Sequence, residues 1–195
     1  MKSSPKQPAH IVDRAKLPEN FPTHRHDSHF CEQLGRTIAT FGFLEETLAK
    51  AIFSFTATTP YSPDDIEEEY SKWFIKLQKA LSDQLYDLTE SYKKSVKSNP
   101  NVKIDYIDEL CEDINQLRQF RNVLCHAFWQ APDKHGRSIP LFVDKKQNVF
   151  NTEIDTNYLI QIQKSTVSLA CDVIDSVTTM GWQWPGSLSP GKVIF

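Results

Sequence analysis

The sequence predicts an all-α fold, a four-helix bundle with a small β-hairpin inserted before the last helix. Three observations carry that prediction. Glycine is scarce, 6 in 195 residues, against the higher share of an average globular chain. Long segments rich in Leu, Glu, Lys, Gln and Asp bring an apolar residue back every three or four positions, the stripe of a core-facing helix. Only residues 138–152 switch to short, partly β-branched runs.

The elements follow in order. Residues 1–22, with Pro5, Pro8, Pro18 and Pro22 among Lys, Ser and Gln, read as a flexible N-terminal arm. The run from His24 to Cys31 has His and Cys at spacings a metal site could use. No second ligand pair follows, so it reads as a helix start capped by Asp27 or Ser28. The first helix spans about 28–57 on the stripe Phe30, Leu34, Ile38, Phe41, Glu45, Leu48, Ile52, Phe55. Pro60 and Pro63 break it. Ser62, Pro63 and the acidic first turn Asp64, Asp65, Glu67 start a second, long helix over about 63–96. Its seam is Ile66, Tyr70, Trp73, Leu77, Leu81, Leu85, Leu88 and Tyr92. A third helix begins soon after Pro100 and ends around Gln130. Ser138–Val143 and Asn148–Thr152 form the hairpin around Asp144-Lys145-Lys146-Gln147. Asp155 or Thr156 caps a fourth helix from Tyr158 to about Met180, which Gly181 stops. The domain is thus residues 23–181, and 182–195 is an aromatic tail lying on the bundle or on a partner chain.

Composition narrows the function. A net charge of −3 gives no global pull toward nucleic acid. From Arg118 to Lys146, however, six Arg or Lys (118, 121, 134, 137, 145, 146) stand against Asp133 and Asp144, a local balance of +4. The four cysteines are scattered, with no C-x-x-C, and residues 1–20 lack the apolar run of a secretory signal, so a reducing cytoplasm is expected. No apolar run approaches the roughly 20 residues of a membrane span. There is no glycine-rich phosphate loop, nucleophile elbow or metal-ligand pairing, so no cofactor and no metal are expected.

The stretch Arg121-Asn122-Val123-Leu124-Cys125-His126 carries the chemistry. Ile107, Leu110, Ile114 and Leu117 set a stripe that continues through Arg121, Leu124 and Phe128, placing a cation where Leu or Ile is expected. A buried arginine needs an anion, either a partner side chain or a ligand. Glu45 interrupts the first helix in the same way, which leaves two readings: the two charges meet in the core, with Glu46 as the alternative partner, or Glu45 lies at the margin of the stripe, in water. Asn122 and His126, four apart, share the neighbouring face.

Arg121-Asn122 followed by His126, an Arg-x4-His pattern with a polar residue after the Arg, resembles the signature of the HEPN superfamily. There the motif sits on the third long helix of a four-helix bundle, and the order of elements agrees over roughly residues 28–180. The resemblance implies a metal-independent endoribonuclease acting as a homodimer, with two copies of the motif in one cleft. Arg121 and His126 would be the catalytic pair and Asn122 the supporting residue, while Arg118, Lys134, Arg137, Lys145 and Lys146 would hold RNA. The products would be a 2′,3′-cyclic phosphate and a 5′-OH. Toxin members of the superfamily also imply an inhibitory protein partner, in a toxin–antitoxin or phage-defence setting. Some of them carry a Tyr shortly after the His; here Phe128 and Trp129 follow, so regulation through that Tyr is not carried over. Two further readings remain: a non-catalytic nucleotide- or protein-binding module, with Arg121 as a structural cation paired to Glu45, and a purely structural dimeric subunit.

Overall fold

A computed structural model describes residues 10–60, 67–68, 71 and 84–189. It is an all-α bundle of four long helices with a small antiparallel β element before the last: α1 Ser28–Ala57, α2 Leu85–Ser98, α3 Ile107–His126, β1 Phe128–Trp129, β2 Pro140–Leu141 and α4 Thr156–Thr178. No described helix is long and apolar enough to cross a membrane.

Local chemistry sets the boundaries. The Asp27 carboxylate accepts the Phe30 N–H at 2.7 Å, which makes it the cap of α1 and settles the His24–Cys31 run as a helix start. Among the described residues no three His, Cys, Asp or Glu side chains gather as metal ligands. Asp155 caps α4 in the same way, accepting from the Tyr158 N–H at 2.7 Å. After α4 the chain turns through Gly181 at φ +77°, a left-handed conformation that glycine adopts without strain. Residues 10–22 are exposed and carry one short 3-10 turn, Arg14–Lys16, capped by Asp13.

Three contacts establish the direction of the helices. Asn99, just past α2, donates from Nδ2 to the Phe55 carbonyl at 2.9 Å, so α1 and α2 end at the same pole. Lys93 and Lys97 near the end of α2 both reach Asp108 in the first turn of α3 at 2.7 Å, so α3 starts at that pole and runs back. Trp182, just after α4, packs edge-on against Phe55 with centroids 5.5 Å apart. Helices α1, α2 and α4 therefore run one way and α3 runs against them.

That arrangement corrects the second helix expected from the sequence. A single helix over 63–96 would follow α1 back and finish at the opposite pole, whereas Asn99 sits at the end of α1. Gln84 is extended (φ −76°, ψ 159°) and α2 begins after it, at Leu85. Ser82 and Asp83 just upstream belong to the residue types that favour caps over helix interiors. Leu85, Leu88 and Tyr92 of the expected seam are buried; Ile66, Tyr70, Trp73, Leu77 and Leu81 lie outside the described residues.

Because α1 packs on all three other helices, its buried face is broad. Phe41, Leu44, Leu48, Ala51, Ile52 and Phe55 are all at most 5% exposed. The stripe also shifts: Ile38 is exposed and Thr37 buried in its place. Thr37 tolerates burial because its hydroxyl donates to the Gln33 carbonyl at 2.7 Å, and Thr47, Ser54, Thr89 and Thr166 use the same device one turn back. Across the core, the Tyr92 and Ser176 hydroxyls lie 2.6 Å apart. Ser176 donates to Val173, so Tyr92 is the donor of the pair. Burial pushes its phenol well above the ordinary tyrosine value. All four cysteines are unbridged, and only Cys111 is buried.

The hairpin keeps the expected turn, where Asp144 accepts the backbone N–H groups of Lys146 and Asn148. Ser138 bridges Ile154 and Val143 bridges Val149, so residues 138–143 and 149–154 face each other. The sequence did not reveal the added strand: β1, immediately after α3, pairs with β2, Phe128 opposite Leu141 and Trp129 opposite Pro140. Phe150 on the inner face meets Phe120 of α3 edge-on at 6.1 Å. The described part of the tail lies on the bundle through Trp182 and Trp184.

Asn99 joins three segments at the pole opposite the motif, donating to Phe55 and Thr58 and accepting from the Asn101 N–H. Asn99→Ala is expected to lower stability by about 1–3 kcal/mol, from the loss of hydrogen bonds that contribute about 1 kcal/mol each, read as a shift of the urea midpoint at unchanged m-value.

Candidate functional site

The motif stands at the last two turns of α3. Burial there follows helical geometry: Val123 and Leu124 are buried, Arg121 and Asn122 half-buried, Cys125 and His126 exposed. The helix ends at His126, four residues before the expected Gln130. The Ala127 N–H returns to the Val123 carbonyl at 2.9 Å, and the backbone then becomes extended. Two aromatic residues follow, a pair that prefers strand. Trp129 packs edge-on against Phe30 at 5.2 Å and against His26 at 6.2 Å, a contact that a continuing helix would not make. With the change of period Phe128, expected on the buried stripe, turns outward and is 68% exposed.

Arg121 finds its anion in α1. Its Nη2 lies 3.4 Å from Glu45 Oε1, with about a quarter of each side chain exposed (26% and 25%). Glu46, the alternative partner, is occupied on the surface by Lys50 at 2.8 Å. The Arg121–Glu45 contact is an ion pair but not a tight fork. Among the described residues Glu45 Oε1 is shielded from water and accepts no hydrogen bond, and of the guanidinium's five N–H donors only those of Nη2 approach a carboxylate. Asn122 and His126 share a face as expected, yet no hydrogen bond joins them among the described residues.

The cations expected to hold RNA divide into two groups. Arg118 lies over the Tyr86 ring, 4.6 Å from its centroid, and pins α3 to α2. Arg137 is held by Asp133, with Nε at 3.0 Å and Nη2 at 2.7 Å, and also by Glu153. Backbone and side-chain hydrogen bonds from Arg137 hold the Asp133 carboxyl down at about 2. Lys134, Lys145 and Lys146 are exposed and, among the described residues, sit in no ion pair. The local balance of +4 is therefore presented largely by these three lysines.

The spacing of the His24–Cys31 run gives His26 no place in the site. It stacks on Phe30 at 4.6 Å and faces Trp129, while its Nε2 is buried without a hydrogen-bond partner. Burial lowers its pKa, against the opposing pull of the Gln130 backbone and Asp27. Its place under the motif comes from β1, which folds Trp129 back onto the start of α1.

No protein-family model, no curated protein and no solved structure matches the chain.

Two measurements test this geometry. A double-mutant cycle on Glu45→Ala and Arg121→Ala is expected to return a favourable coupling of about 0.5–3 kcal/mol from denaturant midpoints, as for residues in direct contact. The second concerns His26. Its folded pKa lies below that of the unfolded chain, so the unfolded state binds more protons below about pH 6.5. The stability due to neutral His26 is fully present above that pH and is lost as the pH falls through the lowered folded value. Urea midpoints of the wild type should fall across that window, and His26→Phe should flatten the decline.

Proposed function

We propose that the protein is a metal-independent endoribonuclease of HEPN type, working as a homodimer. The observation that carries this reading is the exposed imidazole of His126 at the end of α3, with the incompletely paired Arg121 guanidinium five residues behind it. The motif resemblance supplies the reaction, and the residues supply groups suited to it. In RNA the 2′-hydroxyl is an internal nucleophile. It loses its proton as the O2′–P bond forms, the P–O5′ bond breaks, and the departing 5′-oxygen takes up a proton. An imidazole, which both accepts and donates a proton, suits both transfers. A guanidinium suits the charge on the phosphate oxygens, because its planar fork donates to two of them at once. Glu45 holds that fork toward α1 without engaging all its donors. Asn122, half-buried on the same face as His126, serves as a polar neighbour.

A single copy does not bring the two groups together easily. Five residues turn about 500° along a helix, leaving Arg121 and His126 about 140° apart in projection. Arg121 faces α1 and His126 faces solvent. Convergence on one phosphate is therefore assigned to two copies of α3 meeting, each supplying part of the site.

The Arg121–Glu45 pair favours a second reading. A cation held by a half-buried carboxylate fits a non-catalytic binding module that uses the same pole for a nucleotide or a protein.

RNA cleavage in EDTA separates the two readings. The wild type is expected to leave 5′-OH ends. His126→Ala should reduce the rate by about 10²–10⁴-fold, the usual share of general acid–base catalysis, and Arg121→Ala should abolish cleavage in protein that remains folded. Equal behaviour of the wild type and both variants on several RNAs rejects the nuclease reading in favour of the binding module.

A further inference from the structure

The β element presents two unlike faces. Phe150 and Trp129 pack on the bundle, and Phe142 is half-buried on the same face. On the other face Ile139, Leu141 and Val143 alternate along one strand, with Phe128 opposite Leu141 and Val149 opposite Val143. All five are exposed, Phe128 at 68% and Val149 at 62%. Five neighbouring apolar side chains open to water on so small an element make an unpartnered surface, and such surfaces mark binding sites.

Position and charge indicate the occupant. Phe128 follows His126 by two residues, at the point where the backbone leaves α3. In the β1–β2 register the start of β1 lies toward the Asp144–Gln147 turn. Lys145 and Lys146 in that turn therefore stand at the His126 end of the face, and Lys134 stands in the turn at its far end. The nearby carboxylates are already engaged: Asp133 and Glu153 hold Arg137, while Asp144 accepts hydrogen bonds within its own turn. The face is thus apolar with cations at both ends. A second copy laid on it would set lysines against lysines, which costs binding energy. A single-stranded nucleic acid meets it with complementary groups, bases for the apolar surface and phosphates for the lysines.

We propose that the outer face of the hairpin binds single-stranded RNA, with Phe128 as the platform on which the base next to His126 stacks. This rests on the RNA reading above and adds to it a subsite distinct from the Arg121–His126 motif.

The test uses the full chain carrying His126→Ala, so that the strand stays intact, and a short fluorescently labelled single-stranded RNA read by anisotropy across a salt series. Sedimentation is run in parallel. Adding Phe128→Ala should weaken binding by at least about 5-fold, the lower end of what one stacked base contributes, with the salt slope unchanged. Phe128→Tyr should retain the affinity. Lys145→Ala with Lys146→Ala should weaken binding and make the salt slope shallower by about 1.4, roughly 0.7 per phosphate contact for single strands. If the RNA binds and Phe128→Ala binds it equally well, the stacking proposal is overturned while the RNA reading stands. If Phe128→Ala instead dissociates a dimer, the face is a contact between copies and the proposal is likewise overturned. If no RNA binds at any salt, both fall together.

Discussion

A guanidinium placed on an apolar seam demands an anion, and much of this bundle follows from how that demand is met. Arg121 of α3 and Glu45 of α1 are each half-buried where their helices face each other. Neither is tolerable alone in a shielded place. Their pairing aligns two antiparallel helices at one height. It also leaves a cation with spare donors near the end of α3, because the contact is 3.4 Å long and one-sided. The same interaction thus serves packing and keeps a polar group beside the motif pole.

The direction of the helices decides what else gathers there. With α3 running against α1, α2 and α4, the start of α1, the end of α3 and the start of α4 share one pole. Trp129, Phe30 and His26 close it on one side, and Phe120, Phe150 and Tyr158 on another. These aromatic contacts fasten the β element to the bundle through its inner face. His126 and Phe128 are left in solvent on the remaining side.

Charge at this pole is less generous than a count of residues implies. Of the six cations between Arg118 and Lys146, Arg121, Arg118 and Arg137 are engaged by a carboxylate, an aromatic ring and two carboxylates respectively. Arginine's planar fork suits such fixed partnerships, whereas lysine is a point charge on a flexible stem. The three lysines stay at the surface and supply the mobile positive charge. Any anionic ligand at this pole is met by turn lysines first and by Arg121 only at close range.

The sequence by itself determined three of the helices, two of their caps and the unusual charges. Asp27 and Asp155 sit where local hydrogen bonding makes a cap, the apolar periods mark α1, α3 and α4, and Glu45 and Arg121 stand out because each breaks a stripe. These are local signals, carried by residues within a turn of one another. Tertiary structure decided the rest. The break at Gln84, the end of α3 at His126 rather than Gln130, the outward turn of Phe128 and the burial of Thr37 instead of Ile38 all depend on what lies opposite in space. Trp129 leaves the helix because Phe30 and Pro140 await it, residues about a hundred and about ten positions away in the chain. Ile139-Pro140-Leu141-Phe142-Val143 is apolar throughout, so its periodicity cannot say which face is covered. That choice was made by Phe120 and the bundle beneath it, since a sheet face is buried only where a neighbour exists to bury it.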